Sequence, residues 1–203
     1  LFMIAKRSNL SPLPTLLGGM LLGLFGSSLV ALILAFSSPN GLQSAMYWLM
    51  GDLSRGQLSD SLLVTVVSVA LVLAMFRSAS DLDRLVFGPD VAEALGVDVR
   101  RLRMRLVLLT AILVSVSVSA VGMIGFVGLV VPHFARRWVG VRHAWVLPIS
   151  AFLGALALVA ADLVLRAVFS TREIPIGVLT ALLGTPLLMW IFVGSEGRRL
   201  ESR

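Results

Sequence analysis

Asp162 is the one carboxylate set well inside an apolar stretch of this chain, and Arg166 follows it by four residues. On a helix that spacing puts both side chains on one face with the acid toward the N-terminus, the arrangement of a structural ion pair. Ionisable groups at membrane depth are also candidates for moving ions or protons. A proton relay needs a second buried acid or histidine to continue it, and none follows. His133 stands behind Pro132, where it can satisfy freed backbone groups, and His143 lies in a basic loop. Neither belongs to a set of three or four ligands at metal spacing. The chain has no cysteine, which excludes disulfides, thiolate metal sites and cysteine nucleophiles. No nucleophile and base stand in register, so no catalytic residue, metal or cofactor is assigned. A phosphate-binding loop of the Walker type ends in Gly-Lys-Ser/Thr. The only lysine, Lys6, lies between Ala5 and Arg7, so ATP chemistry would have to come from a partner.

The elements that position these residues are membrane helices. Apolar residues make up 58% of the chain and charged residues 14%, where a soluble domain carries about 25% charge. The mean hydropathy is +0.97. A net charge of +6 would suggest nucleic acid in a soluble protein. Here the basic residues fall in short clusters between apolar runs, where they orient the chain, and no nucleic-acid partner is expected.

A helix needs roughly 20 residues to span the hydrocarbon core. Apolar stretches at 13–36, 59–76, 104–121, 122–138, 147–169 and 176–192 predict an all-α, polytopic fold of about six transmembrane helices. Residues 1–7 read as the tail of an earlier helix, and no cleavable signal peptide is evident. With the segment before Leu13 inside, 14 of the 17 basic residues are cytoplasmic and only Arg55, Arg166 and Arg172 fall outside. The C-terminus then returns to the cytoplasm.

Residues 81–103 are too long and too patterned for a plain turn. Gly88 and Pro89 mark a helix start, with Asp90 and Glu93 in the short helix that follows. Val91, Ala94 and Leu95 share one face, and Gly96 terminates it. Asp98 can cap a second short helix carrying Arg100, Arg101, Arg103 and Arg105 into the next span. The pattern leaves two uses open: docking into a groove on a partner protein, or lying on anionic membrane lipid.

Small residues recur at helical spacing in three places. Gly19, Gly23, Ser27 and Ala31 form one stripe, and Gly177, Ala181 and Gly184 another, each permitting close approach of helices. Gly122, Gly125 and Gly128 would strip a third helix face of bulk, with Pro132 removing a hydrogen bond to the Gly128 carbonyl. Between 39 and 59 the chain is expected outside, where Met46, Tyr47, Trp48 and Met50 form a short amphipathic segment suited to anchoring at the interface. Methionines there can repack around bulky ligands.

Five strings in order carry a resemblance: MYWLMG (46–51), FGPDVAEALGVDV (87–99), GMIGFVGLVVPHFAR (122–136), AADLVLR (160–166) and EIPIGVLTALLGTP (173–186). Together they resemble the FecCD/BtuC family, the permease subunits of bacterial ABC importers for iron-siderophores, haem and vitamin B12. The resemblance covers nearly all of the chain and implies one permease domain over 1–203, the C-terminal portion of a ten-helix permease, N-terminally incomplete. It implies a bacterial cytoplasmic-membrane location, an ATP-binding subunit, a second permease copy, identical or paralogous, and a substrate-binding protein. By the same resemblance, the segment 81–103 with Pro89, Asp90, Val91, Glu93, Ala94, Leu95 and Gly96 couples to the ATP-binding subunit. Arg166, and less directly Arg172 and Glu173, would meet the binding protein. The stripes of Gly19, Gly23 and Ser27 and of Gly177, Ala181 and Gly184, with Met46 and Trp48, would line the pathway or dimer seam. The activity implied is inward passage of an iron-siderophore-type chelate by alternating access. Haem or cobalamin import and an ion-coupled secondary transporter using Asp162 are the alternatives.

Overall fold

The computed structural model describes residues 12–53, 58–169 and 174–200, with side chains described for 13–53, 61–169 and 174–191. Helices and their connections account for the described residues, with no strand among them. In order they are α1 (Pro12–Ala35), α2 (Pro39–Leu49), α3 (Leu58–Phe76), α4 (Ala79–Leu85), α5 (Pro89–Ala94), α6 (Val99–Val121), α7 (Val127–Val139), α8 (His143–Val168) and α9 (Ile176–Leu200). Each of the six apolar stretches holds a helix. By length and composition three can cross a membrane: Leu13–Ala35, Val99–Val121 and His143–Val168. A fourth crossing arises if Ser61–Phe76 and Ala79–Leu85, bent by 48°, count as one span; Ile176–Ile191 is a shorter apolar helix.

The stretch 122–138 is not one helix. The chain leaves α6 at Val121, runs non-helical through residues 122–126 and re-enters a helix only at Val127. Gly122 has φ +75° and Phe126 φ +67°, both in the left-handed region that breaks a right-handed helix. The 13 residues of α7 extend about 20 Å, short of a hydrocarbon core of about 30 Å. The three glycines therefore do not share a helix face; only Gly128 is helical. Arg136 and Arg137 do close this helix, in its last turn, where the dipole favours cations.

The chain forms two compact units, Leu1–Met46 with Leu58–Ala120, and Tyr47–Gln57 with Val121–Arg203. In the first, a small core of Ala92, Val97, Val99 and Leu102, flanked by Leu85 and Leu106, joins α4, α5 and the start of α6. The long helix α1 is exposed nearly all round, including Leu16, Leu21, Phe25, Leu29 and Ile33, as expected of a helix whose solvent is lipid or a neighbouring helix. In the second unit α7 packs against α8, and α9 lies against both.

Candidate functional site

The segment 79–106 is shaped by local rules. Gly88 has φ +105° and precedes Pro89 at the first helical position of α5, as expected from the sequence. At the other end Gly96 adopts φ +83°. Its amide donates to the Glu93 carbonyl at 2.9 Å, and the Val97 amide donates to the Ala92 carbonyl at 3.0 Å. These two bonds make a Schellman motif, and its apolar contact is present too, because Val97 and Ala92 belong to the same core. Asp98 then caps α6. Its Oδ1 accepts the Arg101 amide at 2.9 Å and its Oδ2 pairs with Arg101 Nε at 2.9 Å. Asp98 starts no separate short helix: the arginine-bearing turn and the span are one helix, Val99–Val121.

This arrangement sorts α5 into two faces. Ala92 is fully buried, whereas Asp90, Val91, Glu93, Ala94 and Leu95 are exposed. Phe87 and Val86 on the preceding turn are exposed as well. A six-residue helix fastened by one alanine thus holds an apolar ridge, edged by two carboxylates, outward on a fixed base.

The second unit contains a different kind of site, built from backbone. The carbonyls of Met50 and Gly51, just beyond α2, accept the amides of Gly177 and Ile176 at 3.1 Å each. These are the first donors of α9, which no intrahelical partner satisfies. The Asp52 amide donates to the Val121 carbonyl, the last residue of α6, at 2.9 Å. Three chain segments distant in sequence are so tied by main-chain bonds, each worth about 1 kcal/mol net in water and more where no water competes.

Glycines make the junction possible. A Cβ on Gly122 would collide with the Trp48 carbonyl oxygen, and one on Gly177 with the Met50 carbonyl oxygen; the latter would also lie 2.9 Å from the Met123 carbonyl oxygen. A Cβ on Gly51, at φ +83°, would likewise lie 2.9 Å from that carbonyl. Further along α9, a side chain on Gly184 would strike Phe126, whose ring carbon Cγ would lie 2.8 Å from it. Beside the junction opens a cavity of about 750 Å³, walled by Met50, Met123 and Met189 with Gly177, Ala181 and Pro186 among its other lining residues. Its lining is apolar apart from Thr185, so it can hold bulky apolar surface without directing it by hydrogen bonds.

Of the expected pathway residues, Gly177 and Ala181 line this cavity, and Gly177 and Gly184 serve close approach within the chain. Trp48 contributes its carbonyl to the junction, and Met46 is about half exposed on α2. Gly23 has open space where a side chain would stand and Ser27 is exposed, whereas Gly19 is partly buried. Asp162 and Arg166 form the expected ion pair, Nε to Oδ2 at 2.7 Å, with the arginine side chain 59% exposed. Arg172 and Glu173 lie outside the described residues. Among the described residues His133 makes no hydrogen bond to freed backbone groups; its ring meets Phe134 edge-on, centroids 6.3 Å apart. No group of three or more His, Cys, Asp or Glu among the described residues could hold a metal. The sequence reading missed Gly51, Met123, Phe126 and Met189. A glycine just past the end of α2 was the available sign for Gly51. Nothing local marks the others.

Residues 1–194 match the model of the FecCD transport family. The chain is 40% identical over 193 residues to the vitamin B12 import system permease protein BtuC of Vibrio cholerae, covering 95% of this chain and 58% of that protein. It is 35% identical to the hemin transport system permease protein HmuU of Yersinia pestis, over 91% of this chain and 55% of that protein. It is 33% identical to the Fe(3+)-citrate import system permease protein YfmD of Bacillus subtilis, over 98% and 59%. A solved structure described as an inward-facing conformation of a metal-chelate type ABC transporter superposes with a TM-score of 0.87 at 33% identity, over 95% of this chain and 62% of that one. The chain thus spans less than two thirds of the length of these relatives. With the membrane helices and the ordered strings both accounted for, it is a member of the FecCD transport family.

Proposed function

We propose that the chain is part of the permease subunit of an ATP-driven importer in a bacterial cytoplasmic membrane, passing a bulky metal chelate inward between two permease copies. An iron-siderophore-type chelate is the substrate class we favour. Cobalamin and haem stand on an equal footing among the relatives, and an apolar cavity with one polar lining residue does not discriminate among the three. The ATP-binding subunit docks on residues 89–96, and a substrate-binding protein meets Arg166, with Arg172 and Glu173 nearby in sequence. The exposed stripe of α1 supplies the seam with the second permease copy. The C-terminus is cytoplasmic by the distribution of basic residues. ATP binding by the partner would then shift the docked segment and reorient the helices around the pathway.

One observation carries this reading: α5 presents Val91 and Leu95 outward while Ala92 fixes it from behind. Such a ridge is suited to a groove on a partner. The ion-coupled alternative needs Asp162 as an ion ligand, and that carboxylate is occupied by Arg166.

The test is purification of the tagged, full-length permease from native membranes in mild detergent, beside an Asp90→Lys/Glu93→Lys variant. An ATP-hydrolysing subunit is expected with the former and lost from the latter. Its absence from both, under conditions that preserve other membrane complexes, would overturn the importer reading.

A further inference from the structure

The first turns of α6 carry Arg100, Arg101, Arg103 and Arg105, and no acid stands in its first turn. Cations at a helix N-terminus oppose the helix dipole, so a further anion beside them is stabilising; Arg103 already has a partner within the structure. Asp98 neutralises only Arg101, through a pair whose arginine side chain is 84% exposed. Arg100 and Arg105 are exposed, and no carboxylate among the described residues pairs with either. At 100° per residue these three point away from Val99, Leu102 and Leu106, the side of α6 that joins the small core.

The same face continues into the span. Arg101, Arg105, Leu108 and Ile112 follow one another at four, three and four residues, one stripe of a helix. Leu108 and Ile112 are exposed, at 49% and 40%. A ligand seated along this stripe meets two guanidinium groups and then, within about 10 Å, an apolar strip. A free phosphate matches only the first half, and a water-soluble acidic protein cannot follow the second half into the hydrocarbon. An anionic phospholipid matches both, its phosphodiester on the arginines and an acyl chain along Leu108 and Ile112. We propose that this face of α6 is a binding site for an anionic glycerophospholipid of the cytoplasmic leaflet.

The test is native mass spectrometry of the full-length permease, released from nanodiscs of equal parts phosphatidylglycerol and phosphatidylcholine with matched acyl chains. The wild type is expected to retain phosphatidylglycerol preferentially. An Arg100→Gln/Arg101→Gln/Arg105→Gln variant should lose that preference by roughly fivefold for each arginine engaged. The corresponding triple lysine variant should keep most of it, which separates lost charge from lost fold. An Arg136→Gln/Arg137→Gln/Arg142→Gln variant, which removes equal charge elsewhere, should retain the wild-type preference. Unchanged retention in the first variant, equal loss in the last, or loss in the lysine variant each overturns the site. So does a glutamine variant that holds its lipid but releases the ATP-hydrolysing subunit, because the face would then belong to that partner.

Discussion

The segment 79–106 and the junction around Gly51, Gly122 and Gly177 are both tight pieces of backbone, but they are tightened by opposite means. In the first, every constraint acts within a few residues: Pro89 opens α5, Gly96 closes it, and Asp98 opens α6. Its side chains are then free to face outward. In the second, the constraints are main-chain bonds between residues some 70 to 125 positions apart in sequence, and side chains are excluded from the contact. A surface built by local caps can be changed residue by residue without moving its neighbours. A junction built by backbone contact cannot, because a single methyl group has nowhere to go.

The largest effect is therefore expected at the junction. Gly122→Ala places a Cβ against the Trp48 carbonyl in a left-handed conformation, combining about 1–2 kcal/mol of backbone strain with about 1–3 kcal/mol of overcrowding. Gly177→Ala meets the Met50 carbonyl instead. On propensity alone alanine would stabilise α9 by about 1 kcal/mol, so a net loss of stability would mean that the collision outweighs it. Gly128→Ala, on α7 with open space around it, supplies the control and is expected to be neutral or slightly stabilising. Thermal unfolding of the full-length permease in detergent measures all three. Equal melting temperatures for Gly122→Ala and Gly128→Ala would remove the junction from the account.

Gly96→Ala comes next and probes the local region by the same chemistry. The left-handed residue costs about 1–2 kcal/mol as alanine, but no neighbour stands within 4 Å to be struck. Its melting temperature should fall less than that of Gly122→Ala. Co-purification with the ATP-hydrolysing subunit should weaken more, since the tilt of α5 depends on this turn. Reversal of that order would place the docking surface elsewhere.

These two regions also explain what could be read from the chain before its structure. Pro89, Gly96 and Asp98 announce themselves, because capping and turn chemistry depend on residue type at spacings of one to four. The membrane helices were legible through apolar length. The interruption at 122–126 was not. Glycines three apart look the same whether they line a helix or break one, and only the distant carbonyls of Trp48 and Met50 decide which holds. The same limit hid Met123 and Met189. Each reads as another apolar residue in an apolar segment until the junction turns both toward one cavity.

A smaller effect belongs to Asp98→Ala, which removes the side-chain acceptor for the Arg101 amide and the partner of its guanidinium. Loss of an N-cap costs about 1 kcal/mol. Asp98→Asn keeps the acceptor and loses only the charge, so it should recover most of that stability. If both variants melt alike, the exposed ion pair rather than the cap is what holds the start of α6.

The smallest effect is expected at Asp162, and its smallness is informative. The pair with Arg166 is within one helix, at i and i+4, with the arginine more than half exposed. Pairs of that kind are worth about 0.2–0.5 kcal/mol. Asp162→Asn should leave the melting temperature nearly unchanged and alter ATP-dependent uptake by the full-length permease less than twofold. It also leaves Arg166 free for a carboxylate on a binding protein, so affinity for that protein should hold or rise. Abolished uptake in Asp162→Asn, with ATP hydrolysis and binding-protein affinity intact, would mean that the carboxylate acts on an ion, and α8 would then carry chemistry that its exposed ion pair conceals.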